Sequence, residues 1–85
     1  MYIIKDAILN KSKETELETF YIGKGSYVWK EKSIAEGWKR KDFAIKQVKK
    51  EAEDTCNSNF TQHDETTFTY FENQIWFHIV QIIEV

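Results

Sequence analysis

Residues 37–54 read GWKRKDFAIKQVKKEAED, and this stretch decides the fold. Its apolar side chains recur three or four residues apart, as they do along one face of a helix: Ala44, Ile45, Val48 and Ala52. Lysines occupy the opposite side. The pattern predicts one long helix over residues 42–55. We expect Asp42 at its start, where a carboxylate caps free N–H groups or favours the positive end of the helix dipole.

The rest of the chain predicts a sheet. Four stretches are rich in β-branched and aromatic residues and predict strands over residues 1–9, 17–29, 66–72 and 75–85. The polar residues 57–65 predict a loop, and Asn73-Gln74 predicts a tight hairpin turn. The expected fold class is α+β, with residues 1–85 as a single domain. An antiparallel sheet of about four strands would pack against one main α-helix, in the order ββ-α-ββ.

The last predicted strand, IWFHIVQIIEV over residues 75–85, is apolar on both faces. A strand with one solvated face alternates apolar and polar side chains more regularly. One helix covers only one face of a sheet, so the second face needs another cover. Either residues 27–38 fold over it with Trp29 and Trp38, or a second copy of the chain does. Homo-oligomerisation through this strand is therefore one of two predicted solutions.

Composition limits the class of protein. The chain of 85 residues suffices for one core, and six Phe, four Tyr and three Trp supply apolar area. The single cysteine, Cys56, excludes an intramolecular disulfide, and a free thiol is typical of the cytoplasm. The N-terminal MYIIKDAIL lacks the basic start and long apolar middle of a signal peptide. No stretch approaches the roughly 20 apolar residues of a membrane span, so we expect a cytoplasmic protein.

The net charge of −2 hides a basic segment. Residues 24–50 contain nine basic and three acidic side chains, a net +6, so the remainder of the chain carries −8. Trp29, Trp38 and Phe43 lie within this segment and are candidate anchors if they are exposed. Such a surface fits an acidic protein partner, and its mixture of cations and rings also fits nucleic acid. The predicted binding residues are Lys30, Lys32, Trp38, Lys39, Arg40, Lys41, Lys46, Lys49 and Lys50.

No residue pattern indicates catalysis, a metal or a cofactor. The segment GKG at 23–25 lacks the spacing of a phosphate-binding loop, and we interpret it as a turn or bulge. Cys56, His63, Asp64 and His78 lack the spacing of metal ligands. We interpret Cys56 as a small core residue and His78 as a structural histidine. The sequence therefore predicts a non-enzymatic protein without catalytic residues, metal or cofactor.

Two tripeptides, Tyr2-Ile3-Ile4 and Tyr21-Ile22-Gly23, resemble the paired strand motif of the GIY-YIG nuclease family. The resemblance implies metal-assisted hydrolysis of a phosphodiester. It covers six residues, and the interval between the tripeptides is longer than in the family. The arginine expected on the helix after the second tripeptide is lacking, because the first arginine in the chain is Arg40. The groups that such hydrolysis needs are therefore incomplete.

A second resemblance covers residues 29–48, WKEKSIAEGWKRKDFAIKQV, and the closing FHIVQIIEV. These segments are similar to short uncharacterised proteins of phages and prophages of Gram-positive bacteria. In that group a strand hairpin precedes a Trp, an Ile-Ala turn, a Lys-rich helix and a final strand. Ile34-Ala35, Trp38 and Ala44 match the pattern, whereas Asp42 and Phe43 depart from its usual helix start.

This second resemblance implies an accessory protein of a mobile element, a class in which inhibitors of host factors are common. We therefore expect docking on a host or phage protein with an acidic surface, in the cytoplasm of the bacterial host. A nucleic-acid-binding accessory protein that uses the basic segment 24–50 is the alternative.

Overall fold

A computed structural model of the protein describes residues 1–11, 17–24, 28–32, 37–55 and 57–85. The predicted α+β fold class is confirmed, and the helix lies within one residue of its predicted bounds at each end. The described residues form six strands rather than the expected four or so. In chain order the elements are β1 (Tyr2–Asn10), β2 (Leu17–Ile22), β3 (Val28–Trp29), α1 (Lys41–Asp54), β4 (Asn57–Gln62), β5 (Thr67–Glu72) and β6 (Trp76–Glu84).

The strands form one antiparallel sheet in the order β3-β2-β1-β6-β5-β4. β1 and β6 form its centre and are paired along their whole length, from Tyr2 with Glu84 to Asn10 with Trp76. The two edges are poor templates for further strand pairing. β3 has only two residues, and β4 has an irregular register between Ser58 and Thr61.

The predicted loop over residues 57–65 is wrong for residues 57–62, which form β4. Asn and Ser are depleted in strands, but an edge strand with one solvated side tolerates them. Phe60 supplies the apolar contact that holds β4 in place, with its ring centroid 6.0 Å from that of Phe68 and 6.2 Å from that of Tyr70. Asn59 adopts a φ of 57°, which accommodates the irregular register.

The strand predicted over residues 17–29 is divided into β2 and β3. The indole of Trp29 lies against Gly23, at a position where any Cβ would collide with it. The glycine therefore permits the chain to return along β2 as an edge strand. Residues 25–27 of the predicted strand lie outside the described residues.

α1 packs on one face of the sheet through small side chains. Ala44, Val48 and Ala52 are buried, which confirms the predicted stripe. The cap residue is Arg40, without a side-chain capping bond. Asp42 lies instead in the first turn, where its charge favours the positive end of the dipole. The core between helix and sheet also contains Ile4, Ile22, Trp38, Phe68, Tyr70, Val80 and Ile82.

The opposite face of the sheet carries no described helix, and we call it the helix-free face. Side chains alternate along each strand, so the register assigns to it the odd-numbered residues of β1, β2 and β6. Trp38 belongs to the helix-side core and does not cover this face, whereas Trp29 lies over its edge at Gly23. Its apolar side chains, most of them only partly buried, include Ile3, Ala7, Leu9, Tyr21, Phe77, Ile79 and Ile83.

The predicted turn at Asn73-Gln74 is confirmed. The Ile75 N–H donates to the Glu72 carbonyl at 3.2 Å and closes the turn between β5 and β6. Asn73 and Gln74 have φ angles of 53° and 61°, the left-handed values of a type I′ turn.

Candidate functional site

Phe43 lies on the outer face of α1, away from the sheet. Its side chain is large and apolar, yet the residue is 45% exposed. The Arg40 guanidinium lies 4.5 Å from the ring centroid and the Lys46 ammonium 5.6 Å, both within cation–π distance. The spacing i, i+3 and i+7 places Lys46 and Lys50 on the same side of the helix as Phe43. We define the Phe43 patch as Lys39, Arg40, Phe43, Lys46 and Lys50, all of which are exposed. Lys49, another predicted binding residue, is also exposed but lies about 120° round the helix from Phe43, beside Asn57 and Phe60.

Besides Trp38 and Lys49, the predicted binding residues Lys30, Lys32 and Lys41 also lie outside this patch. Lys41 donates to Glu65 Oε2 at 3.2 Å, and this hydrogen bond raises the pKa of Lys41. Lys30 and Lys32 are exposed, but they follow the edge strand β3 rather than lying on α1.

Two further predicted anchors, Trp38 and Trp29, are less exposed than Phe43. Trp38 is only 6% exposed, and its backbone exchanges two hydrogen bonds of 2.7 Å with Tyr2. Its side chain therefore stabilises the core instead of presenting a binding surface. Trp29 is half-buried against Gly23.

A second cluster lies on the helix side of the sheet, where His78 is held between two carboxylates. His78 Nδ1 lies 2.8 Å from Asp6 Oδ2 and 3.0 Å from Asp6 Oδ1. Nε2 of the same ring lies 2.8 Å from Glu72 Oε1. Tyr70 stacks on the imidazole, with 4.5 Å between ring centroids and 10° between planes.

The register of the strands brings Asp6, His78 and Glu72 together. Ile8 pairs with His78 across β1 and β6, so Asp6 is a diagonal neighbour of the histidine on the same face. Glu72 occupies the corresponding diagonal position on β5, where Tyr70 pairs with His78. Three adjacent strands therefore fix the three groups, and rotation of any one ring or carboxylate breaks a hydrogen bond.

The surroundings of His78 favour its charged form. Burial alone would lower the pKa of His78, but the hydrogen bonds and charges of Asp6 and Glu72 outweigh it, and the pKa is raised. Burial raises the pKa of Asp6, against the hydrogen bond and charge of His78, which lower it. Burial also raises the pKa of Tyr70, whose hydroxyl therefore stays protonated. Asp6 and His78 thus retain protons to a higher pH than the separated groups would.

A cavity of about 250 Å³ opens beside this cluster, next to the last turn of α1. Its walls combine apolar side chains from β1, β2 and β3 with polar groups from β1, α1, β5 and β6. The lining consists of Asp6, Ile8, Phe20, Ile22, Val28, Glu51, Thr55, Tyr70 and His78.

Sequence reasoning singled out His78 but missed both of its carboxylate partners. One signal for Asp6 was present, because it alternates with Ile4 and Ile8 at a core-facing position of an apolar strand. Nothing local distinguished Glu72, because its partner is set by the register of β5 and β6. The interpretation of His78 as a structural histidine fits its burial and its satisfied ring nitrogens.

His63 and Asp64, which were also considered as metal ligands, form hydrogen bonds outside this cluster. His63 Nε2 bonds to the Thr69 hydroxyl at 2.8 Å. Asp64 accepts the Thr66 N–H at 2.8 Å, which holds the pKa of Asp64 below its ordinary value. Cys56 lies outside the described residues. Within the described ranges, no three His, Cys, Asp or Glu side chains are arranged to hold a metal ion.

The chain was compared with protein-family models, with curated proteins and with solved structures. None of the three comparisons found a match. In the part of the chain that the structure describes, no helix is both long and apolar enough to cross a membrane. The Phe43 patch and the His78 cluster are therefore the two candidate sites.

Proposed function

We propose that this is a non-enzymatic binding protein that docks the Phe43 patch on an acidic surface of another protein. The observation that carries the proposal is the exposure of Phe43 between two cations on the outer face of α1. An exposed aromatic ring supplies anchor area, and the lysines around it supply charge complementarity to carboxylates. The resemblance to phage and prophage proteins adds the expectation of a bacterial host or phage protein as partner, in the host cytoplasm.

Charge on the patch favours a protein over a nucleic acid. The single arginine, Arg40, already donates to both oxygens of Asp42, at 3.0 and 2.8 Å. Arginine is the most common reader of guanine, so a paired arginine weakens the case for base recognition. Exposed Glu53 and Asp54 on the same helix would face a continuous phosphate backbone unfavourably. An acidic surface of limited extent on a protein partner can contact the patch without lying against Glu53 and Asp54.

The proposal is tested by affinity capture from bacterial lysate with matched variants. We expect a partner that the wild-type protein retains and that the Phe43→Ala and Lys46→Glu variants lose. Truncation of an anchor residue costs about 2 kcal/mol, or roughly thirtyfold in affinity. The affinity of the recovered partner for each variant is then measured by calorimetry. Lys11→Glu is the control, because it makes the same charge change at an exposed residue away from α1.

Two results would contradict the proposal. One is a partner retained equally by wild type, Phe43→Ala and Lys46→Glu. The other is binding of a single-stranded oligonucleotide that falls steeply with salt and is abolished by Lys46→Glu, which would establish the nucleic-acid alternative instead. Circular dichroism of each variant confirms that the fold is retained.

A further inference from the structure

The cavity beside His78 is built like a small ligand site. Most binding pockets are lined by apolar side chains with a few placed polar groups, and this cavity has that composition. Its volume of about 250 Å³ is just below the usual range for drug-sized ligands, so it suits a smaller molecule. Phe20 and Ile22 form an apolar wall, and Asp6 supplies a carboxylate to the same space.

The Asp6 carboxylate has unused capacity to accept hydrogen bonds. The residue is 4% exposed, and an ionised carboxylate has about four acceptor positions. Among the described residues, the one N–H directed at it comes from His78 Nδ1, which is shared between both oxygens. A buried carboxylate is costly unless donors surround it, so a further donor in the cavity would stabilise it.

The charges of the residues around the cavity determine which kind of hydrogen-bond donor it attracts. Asp6 and Glu51 line it, and Glu72 lies beside His78, so the lining and its immediate surroundings hold three carboxylates and one imidazolium. No lysine or arginine is among the described lining residues. A cation is therefore attracted and an anion repelled. A metal ion is a poor candidate, because both ring nitrogens of His78 already face carboxylate oxygens.

We infer that this cavity binds a small organic amine, with its ammonium group against Asp6 and its apolar part against Phe20 and Ile22. The site is separate from the Phe43 patch, and the inference does not depend on docking through that patch. Tyr70 strengthens it, because its ring stacks on His78 and fixes the orientation of the inner wall. The expected ligand class is a primary amine on a short aliphatic chain or a single aromatic ring.

The inference is tested with 2-phenylethylamine as the probe and 2-phenylethanol as a neutral control of similar shape. Binding is followed by NMR, through the ring resonances of His78 and Tyr70. We expect saturable shifts with the amine and an affinity at least about tenfold weaker for the alcohol, because the alcohol cannot form a charge-assisted hydrogen bond as a cation. Equal affinity of the two probes, or no saturable shift with the amine, overturns the inference.

Substitutions of residues that line the cavity test whether the amine binds there. Asp6→Asn removes the charge and should reduce amine affinity at least about tenfold. If this variant does not fold, Val28→Trp serves instead, because Val28 is exposed at the mouth of the cavity and lies outside the hydrogen-bonded cluster. Val28→Trp should abolish the shifts, whereas Leu17→Trp, at an exposed residue that does not line the cavity, should retain them. Amine binding that survives Val28→Trp overturns the inference.

Discussion

His78 lies between carboxylates from two other strands. Asp6 is 72 positions earlier in the chain, and it reaches the imidazole only because β1 and β6 pair in one register. Both ring nitrogens face oxygen atoms, an arrangement that a doubly protonated ring satisfies and a neutral ring does not. The stability of the fold is therefore coupled to the protonation of this residue.

The raised pKa values of His78 and Asp6 fix the direction of a pH effect. A group whose pKa is higher in the folded state stabilises the fold at low pH and loses that contribution as pH rises through the folded-state pKa. For His78 the contribution is complete below about pH 6.5. We expect His78→Gln to lower the free energy of unfolding by about 3 kcal/mol at pH 5.5–6, because it breaks a buried charged pair.

This difference between wild type and His78→Gln should become smaller at each step above pH 6.5, as measured by urea unfolding. The groups that face His78 are Asp6 from β1, Glu72 and Tyr70 from β5 and, further off, Glu51 from α1. The matched control is His63→Gln, which makes the same substitution at an exposed histidine outside this cluster and is measured over the same pH range. A difference that grows with pH would show that the assigned direction is wrong.

The two aromatic residues nearest the start of α1 show that neighbours in sequence do not determine whether a side chain is buried or exposed. Trp38 and Phe43 are both large, apolar and part of the basic segment 24–50, yet Trp38 is buried and Phe43 is exposed. The helical period correctly separated Phe43 from the buried stripe. Trp38 precedes the helix, and its position depends on a backbone bridge to Tyr2 that no local pattern indicates.

Elements with strong periodicity or apolar composition were predictable, and irregular ones were not. α1, β1, β5 and β6 lie close to their predicted bounds, because burial dictates their residue choice. β4 was missed because its stability comes from pairing with β5 and from Phe60, and its Asn and Ser residues indicate a loop. The β5–β6 turn was predictable from Asn73-Gln74, although Gln is an unusual residue for a left-handed position.

The positive φ of Gln74 predicts that a substitution in this hairpin would stabilise the protein. A non-glycine residue at a positive φ is strained by roughly 1 kcal/mol, and Gln74 has a φ of 61°. Gln74→Gly should therefore raise the free energy of unfolding by about 0.5–1 kcal/mol and the melting temperature by roughly 2–8 °C.

Gln62→Gly is the matched control for the hairpin prediction. It replaces the same residue type within β4, where glycine gains nothing and should destabilise by about 0.5–1 kcal/mol. Both variants are measured by thermal and urea unfolding. Destabilisation by Gln74→Gly comparable to that of Gln62→Gly would contradict the strain argument.

The described residues form one helix, and it covers one face of the sheet. On the helix-free face, the register leaves Lys5 as the one charged side chain among the described strand residues. Six strands about 4.8 Å apart and roughly 20 Å long give this face roughly 500 Å². Two such faces together bury about 1,000 Å², the lower limit for a specific interface. We propose that a second copy of the chain covers this face, since the pairing brings few like charges together.

Self-association through this face is testable by sedimentation velocity. We expect a monomer–dimer equilibrium that depends on protein concentration. Ile79→Lys should shift it to monomer, because Ile79 lies at the centre of the face, opposite Ala7 and Thr69 on the neighbouring strands. The control is Ile75→Lys, the same substitution in the exposed β5–β6 turn. A wild-type protein that remains monomeric up to about 1 mM would refute the expectation.

The central pairing of β1 with β6 has a consequence for how the chain folds. Tyr2 pairs with Glu84 and Asn10 with Trp76, so the middle of the sheet joins the first described strand to the last. The meander of β4, β5 and β6 can form from local contacts, but β6 then keeps an unpaired edge until β1 docks. Pairing β1 with β6 closes the long loop of chain between them, and this step is entropically expensive. Chains dominated by contacts between distant residues fold in milliseconds to seconds. The apolar edge of β6 is therefore the segment most exposed to misassociation during folding.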